Sequence, residues 1–355
     1  MIVPPAVLAR YGWDAADAVA VSGGLINATF AIRLGEPIAI VQRLHPVFGA
    51  AVNLDIEAVT THLAARGLTT PRLVRTLDDR AWVDYDGEVW RALTWVDGVT
   101  AHAMASPAWA ETGGALVGRF HRAVADFEYS YRFARAGVHD TAAHLTRLHD
   151  LVTASAFDER SEAPRDNARR GIDLEAATLG ADVLAAAARL PELPATALRH
   201  CHGDLKISNV MFVDVQRTPR AHALVDLDTV GLGTIAFELG DAMRSWCNPC
   251  GEDVESVRFD LAVFAAAIHG FRSAADPIVT RDELRSIVDG LETVCIELAA
   301  RFAVDVFRDD YFGWDRSRFP SRRAHNVVRA RGQLALGLAV RTVRNDALDI
   351  VLSGT

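Results

Sequence analysis

The stretch from His202 to Asp228 constrains the fold of this chain more than any other part of it. Asp204 is followed by Asn209, and then come two short apolar runs, Asn209–Val213 and His222–Asp226. Thr218-Pro219 supplies turn chemistry between them, so the runs read as a strand pair. A strand pair returns the chain to its starting point, so Asn209 and Asp226 leave adjacent strand ends toward one place. There an aspartate on a loop can accept or position the proton of a substrate hydroxyl. The Asn carbonyl oxygen and a second carboxylate can hold Mg²⁺ against nucleotide phosphates. Oxygen ligands with no Cys or His cluster suit Mg²⁺ better than zinc.

Lys206 lies between Asp204 and Asn209 and is the only lysine, although Lys and Arg together number 37. A lysine is a compact point charge where arginine is a planar fork. At this position it would stabilise negative charge developing on a transferred phosphoryl group. His202 is expected to order the loop by hydrogen bonding, because Asp204 already supplies the proton-handling group. Singly these residues have ordinary explanations, and Asp226 or Asp228 could each cap a helix. Their roles interlock only as a set.

The formal charge of −9 argues against nucleic acid or an anionic membrane as partner. A polyanionic nucleotide would need local arginines, amide groups or a divalent cation. Cys247-Asn-Pro-Cys250 is a lone pair without the two further ligands that zinc requires, so reduced thiols are expected. No basic segment followed by a long apolar stretch opens the chain, and apolar runs such as Leu261–Ile268 are too short to span a bilayer. These features predict a cytoplasmic protein.

With 355 residues the chain can form two domains or one large two-lobed unit. Alternation around Phe30–Leu34 and Ile38–Arg43, with Gly35-Glu36-Pro37 between, predicts an antiparallel hairpin. Ile56, Val59 and Leu63 share one face of a helix over 53–66, with Gly67 as its cap. Strands are expected over 71–74, 81–85 and 89–96, with Asp86-Gly87 as a turn. A small sheet-plus-helix unit thus spans 1–97. From 98 to 355 the pattern is mainly helical, with helices expected over 109–125, 174–190, 241–245, 255–270, 281–302 and 327–342. Residues 130–170 are polar and less periodic, and read as an excursion.

His202-Gly203-Asp204-x-x-x-x-Asn209 followed by Asp226-Leu-Asp228 resembles the signature of the aminoglycoside phosphotransferase and choline kinase superfamily. The resemblance implies an α+β, protein-kinase-like, two-lobed fold, with a small antiparallel sheet and one helix in the first lobe and a larger, mainly helical second lobe. It implies ATP clamped between the lobes. Asp204 then matches the catalytic base, Asn209 and Asp226 the Mg²⁺ ligands, and Asp228 the second acid of the metal motif. Gly23-Gly24-Leu-Ile-Asn27-Ala-Thr29 resembles the family's phosphate-covering turn, which makes Gly24, Asn27 and Thr29 expected nucleotide contacts. The family's strand lysine has no counterpart here. Arg43 is the strongly basic residue on that strand and Glu57 its expected helix partner. Residues 92–97 would form the hinge that meets adenine.

A narrower resemblance, to the N-acetylhexosamine 1-kinase branch, rests on Asp226-Leu-Asp-Thr-Val, Phe237-Glu-Leu-Gly-Asp241-Ala-Met-Arg244, Glu252-Asp253 and Arg301-Phe302…Asp310-Tyr311-Phe312. His325-Asn326…Arg329-Ala-Arg331…Gln333 and Gln42-Arg43 extend it. It implies Arg301 and Tyr311 as substrate contacts and a small-molecule sugar or amino sugar as acceptor, phosphorylated at its anomeric hydroxyl. Asp241 and Arg244, one turn apart, are expected to brace a loop. Other acceptors stay open, namely an aminoglycoside, an amino alcohol or another monosaccharide. So does nucleotide binding without catalysis.

Overall fold

The computed structural model describes residues 2–21, 26–133, 137–158 and 167–353. A short helix α1 (Pro5–Ala9) precedes strands β1 (Asp17–Ala20), β2 (Ala28–Leu34) and β3 (Glu36–Arg43), helix α2 (Val52–Ala65), and strands β4 (Leu73–Val74), β5 (Val83–Tyr85) and β6 (Glu88–Thr94). They form one six-stranded antiparallel sheet, ordered β1-β2-β3-β6-β4, with β5 also paired to β6. Asp86 and Gly87 both have positive φ, 50° and 74°, the pair of values that a tight two-residue hairpin between β5 and β6 demands.

Alternation along the strands divides the sheet into two faces. Ile32, Val41, Trp90 and Ala92 pack beneath α1 against Val7 and Leu8. On the other face Leu93 meets Val52 and Ile56 of α2, together with Leu227 from the second half of the chain. The odd and even positions of β6 therefore point to different neighbours, which decides the fate of Arg91 below.

The remainder is mainly helical. Strand β7 (Val99–Thr100) leads into α3 (Pro107–Ala123), α4 (Thr141–Asp158) and α5 (Asn167–Ala187). Strands β8 (Arg199–Cys201), β9 (Val210–Val213), β10 (Arg220–Leu224) and β11 (Gly231–Gly233) follow. Five helices complete the chain: α6 (Ile235–Trp246), α7 (Leu261–Ala275), α8 (Arg281–Arg308), α9 (Arg322–Thr342) and α10 (Arg344–Leu352). Strands β7, β9 and β10 form one small sheet, and β8 pairs with β11. This is a mixed α+β architecture of two lobes, a sheet lobe and a helical lobe.

Several boundaries differ from the sequence expectation. Helix α7 starts at Leu261 and not near Glu255, because the Asp260 carboxylate accepts from the Ala262 and Val263 amides and caps it there. Helix α8 opens with a Thr280–Glu283 capping box and runs on to Arg308, past the expected end at Phe302. Helix α6 begins six residues before the expected Asp241. Residues 130–170, read as an excursion, contain α4, whose Leu148 joins Leu179 and Val183 of α5 in a separate apolar cluster.

Helices α3 and α7 cross at glycines. A Cβ on Gly114 would stand 2.0 Å from the Ala267 carbonyl oxygen, and one on Gly270 would stand 2.0 Å from that of Glu111. Gly114→Ala must push the helices apart, so it is expected to cost at least about 1–3 kcal/mol in chemical denaturation. An unchanged midpoint would contradict this close crossing.

Candidate active site

The loop after β8 is held from below by α6. Glu238 accepts from the backbone N–H groups of His202 at 2.7 Å and Gly203 at 2.9 Å. Burial opposes ionisation of Glu238, but His121, 3.4 Å away, His202 and the Gly203 amide outweigh it and hold the carboxyl below its ordinary range. Trp246 Nε1 donates to the Leu205 carbonyl at 2.8 Å, and the Ile207 amide donates to Ser245 Oγ at 3.0 Å. Gly203 has φ +79°, and a Cβ there would meet the Thr229 carbonyl oxygen at 2.5 Å. Only glycine fits between His202 and Asp204. His202 is fully buried with its Nε2 2.9 Å from the Val225 carbonyl, the loop-ordering position expected of it.

Strands β9 and β10 pair with Val210 opposite Leu224. The Val225 amide then donates to the Asn209 carbonyl at 3.0 Å, so Asn209 and Asp226 emerge side by side at the open end of the hairpin. Asp226 is left-handed, φ 65° and ψ 58°, a costly backbone for a non-glycine residue and of a kind that clusters at functional sites. Lys206 Nζ lies 2.6 Å from Asp204 Oδ2 and 4.0 Å from Asp226 Oδ2. Asn209 Nδ2 donates to the Asp204 carbonyl at 2.8 Å and to its Oδ2 at 3.2 Å. Asn209 is nine-tenths buried, and its Oδ1, the metal-ligating atom of an amide, has no hydrogen-bond donor among the described residues.

These contacts set the charge states. Burial works to raise the Asp204 pKa, but the Lys206 ammonium overrides it and keeps the carboxylate ionised. Lys206 is raised despite its own desolvation, because Asp204 and Asp226 both favour its charge. Asp226 moves the other way, pushed up to about 6 by burial and by repulsion from Asp228 and Asp204. Three carboxylates thus exceed the local positive charge. A divalent cation would relieve that excess, and carboxylate and amide oxygens are the donors a hard cation prefers, so the residues fit Mg²⁺.

Asp228, expected as a metal-associated acid, is committed elsewhere. It is 2% exposed, and both its oxygens bind the Arg91 guanidinium, one at 2.9 Å. Asn27 Nδ2 adds a bond to Asp228 Oδ2 at 2.5 Å. Arg91 also donates from Nε and Nη2 to Gln42 Oε1 at 2.9 and 2.7 Å, and it is itself 1% exposed. This buried network fastens the sheet lobe to the helical lobe just behind Asp226.

The expected Arg43–Glu57 pair does not form. Arg43 binds Glu88, and Glu57 takes a two-pronged ion pair from Arg75 with both contacts at 2.7 Å. Alternation explains the difference. Gln42 and Arg91 are opposite each other on the face toward α2, so Arg43 and Trp90, one residue along, face away from it. Arg91 was not foreseen, although one arginine inside the apolar run Trp90–Leu93 of a central strand is a recognisable signal for a paired buried charge. Asn27, expected at the nucleotide, is fixed between Asp228 and the His45 amide, which donates to its Oδ1 at 2.9 Å. Thr29 Oγ1 accepts from Gln42 Nε2 at 3.1 Å. Gly24 lies outside the described residues.

Beyond Lys206 stand paired charges. Arg244 binds Asp241 at 2.8 Å and also Glu252, so the bracing expected of Asp241 and Arg244 is present. Burial disfavours charge on Glu252, but Arg244, Lys206 and Arg329 outweigh it and lower its pKa. Arg329 and His325 both reach Asp253 at 2.7 Å. Arg301 lies within α8 and not at its end, 3.9 Å from Glu297 and over the Phe312 ring. Tyr311 is half-exposed on a loop whose amides 310–312 donate to the Asp305 carboxylate. Cys247 is buried and Cys250 exposed, both as free thiols.

Residues 17–275 match the phosphotransferase enzyme family known as APH. Solved structures share the fold at low identity. An aminoglycoside phosphotransferase from Alicyclobacillus acidocaldarius is 17% identical with a TM-score of 0.59, covering 98% of this chain and 97% of its own. A microcompartment-associated aminopropanol kinase is 16% identical with a TM-score of 0.59, covering 97% and 98%. An amicoumacin kinase in complex with AMP-PNP and Ca²⁺ is 12% identical with a TM-score of 0.58, covering 92% and 89%. These neighbours have protein-kinase-like folds, and the match spans almost three quarters of the sequence. The chain belongs to the APH phosphotransferase enzyme family.

Proposed function

We propose that this protein is an ATP- and Mg²⁺-dependent kinase that phosphorylates a hexosamine or related sugar at its anomeric hydroxyl. The observation that carries the acceptor class is the pairing of charge beyond Lys206. Asp241, Glu252 and Asp253 each have an arginine partner, Arg244 or Arg329. A polycationic aminoglycoside needs carboxylates left unpaired, and a quaternary amine needs an aromatic cage. A wall of alternating donors and acceptors instead suits a neutral ring of hydroxyls. Arg301 and Tyr311 are proposed to extend that wall.

Asp204 orients the acceptor hydroxyl and takes its proton, which an ionised carboxylate can do. Lys206 faces the transferred phosphoryl group with a permanent positive charge. Asn209 and Asp226 would hold Mg²⁺, which when bound neutralises phosphate charge. Asp228 braces the motif through Arg91. Residues 1–97 and 98–355 are proposed as the nucleotide-binding and catalytic lobes. The fold's relatives include an ATP-analogue complex with a divalent cation, which supports the cofactor reading.

A panel of hexosamines, other sugars, aminoglycosides and amino alcohols, assayed by ADP release with NMR of the product, tests the acceptor. Phosphate on the anomeric carbon of a hexosamine is the expected result. Exclusive turnover of an antibiotic or amino alcohol would end the sugar reading. Nucleotide binding without turnover across the panel would end the kinase reading.

The metal assignment makes a pH prediction. Asp226 must lose its proton to ligate Mg²⁺, and without metal it titrates at about 6. Apparent Mg²⁺ affinity should be flat above about pH 7 and fall by roughly tenfold per unit below about pH 6 as protons compete. Asp226→Asn should weaken Mg²⁺ binding and flatten the profile. Titrations between about pH 5 and 8 decide it, and a flat wild-type profile would remove Asp226 from the metal set.

A further inference from the structure

A cavity of about 620 Å³ shares no lining residue with the Asp204 site. Its walls come from the turn after α2, from α3 and from β10. Five basic side chains line it: Arg66, Arg119, Arg122, Arg220 and His222. None of its lining residues is acidic, in a chain whose formal charge is −9. Local geometry gathers these side chains. Arg119 and Arg122 are three apart on one helix and so share a face, while a bulge between Ala221 and Ala223 leaves His222 out of the strand pairing and on the cavity wall with Arg220.

Ordinary surface arginines offset one another through neighbouring carboxylates, and only part of this group does so. Arg66 binds Asp126 at 2.6 Å, and Arg220 lies 3.9 Å from Asp214. Both acids are mostly exposed and stand outside the cavity. Arg119 and Arg122 have no carboxylate partner among the described residues. The Arg119 guanidinium is disfavoured by burial and by the like charges of Arg122 and Arg220. Arg119 is half-buried beside like charges with no acid in the cavity wall, a position that a bound anion would relieve.

We propose that this cavity is a second ligand site, for a compact phosphoryl-bearing anion of at least two negative charges. Guanidinium forks match phosphoryl oxygens two at a time, and the volume is that of a small-ligand pocket. Because Arg66 follows the helix of the sheet lobe while α3 and β10 belong to the helical lobe, the anion would bridge the two.

Inorganic pyrophosphate, titrated by calorimetry without divalent cations, is the probe. Wild-type protein should bind it, with affinity falling as salt rises. Arg119→Gln/Arg122→Gln should lose at least about tenfold in affinity, because charge-assisted bonds are the strong ones. Lys206→Met, which removes the cation of the catalytic cluster, should retain binding. The double variant relieves repulsion, so its melting temperature at low salt should be no lower than that of wild type, showing that it is folded. Absence of wild-type binding, full binding by the folded double variant, or loss confined to Lys206→Met would overturn the proposal.

Discussion

Asp204→Asn is expected to lower kcat by about 10²- to 10⁴-fold while leaving nucleotide KM nearly unchanged. The Asp204 carboxylate is a quarter exposed, ionised beside Lys206 and cross-linked to Asn209. Asparagine keeps the shape of this group but cannot accept a proton. It also removes one of the like charges that raise Asp226, so Mg²⁺ binding should not suffer. The variant therefore separates chemistry from binding. Steady-state kinetics with the acceptor identified by the panel is the measurement, and a kcat within about threefold of wild type would rule Asp204 out as the proton-handling group.

Arg91→Met is expected to destabilise the protein by about 3–5 kcal/mol, the usual cost of leaving one partner of a buried ion pair alone. Asp228 would keep only the Asn27 bond, at a position 2% exposed. Roughly 1–2 °C of melting temperature should be lost per kcal/mol in a chain of this size. Arg91→Met combined with Asp228→Leu should recover much of the loss, since replacing both charges with apolar groups is often close to neutral. Denaturant unfolding of the two single variants and the double variant closes the cycle. A double variant no more stable than Arg91→Met would show that the network is not held by this pair.

The Arg91 network also shows how legibility depends on separation along the chain. Asp204, Lys206, Asn209 and Asp226 fall within 23 consecutive residues, and one tight hairpin brings them together. Their convergence could be reasoned from turn chemistry and apolar runs alone. Arg91 and Asp228 are 137 positions apart, and no local pattern relates them. The same holds for Glu238, which takes the His202 and Gly203 amides from 36 and 35 residues away. Arg43 is instructive in the opposite sense. It is on the expected strand, but a displacement of one residue in a period-two element puts it on the face away from Glu57.

By itself, the sequence determined the order from β2 to β6 in the sheet lobe, though not α1 or β1, together with the loop carrying Asp204 to Asn209 and the arrival of Asp226 beside it. Short-range backbone geometry dictates all of these. Tertiary structure alone decided that Arg91, and not Arg43, meets Asp228, that the acids beyond Lys206 are neutralised by arginines, and that four arginines and a histidine from three elements line one cavity. The physical reason is that charge pairing depends on which faces of distant elements are pressed together, and packing sets those faces where no periodicity within a single element can.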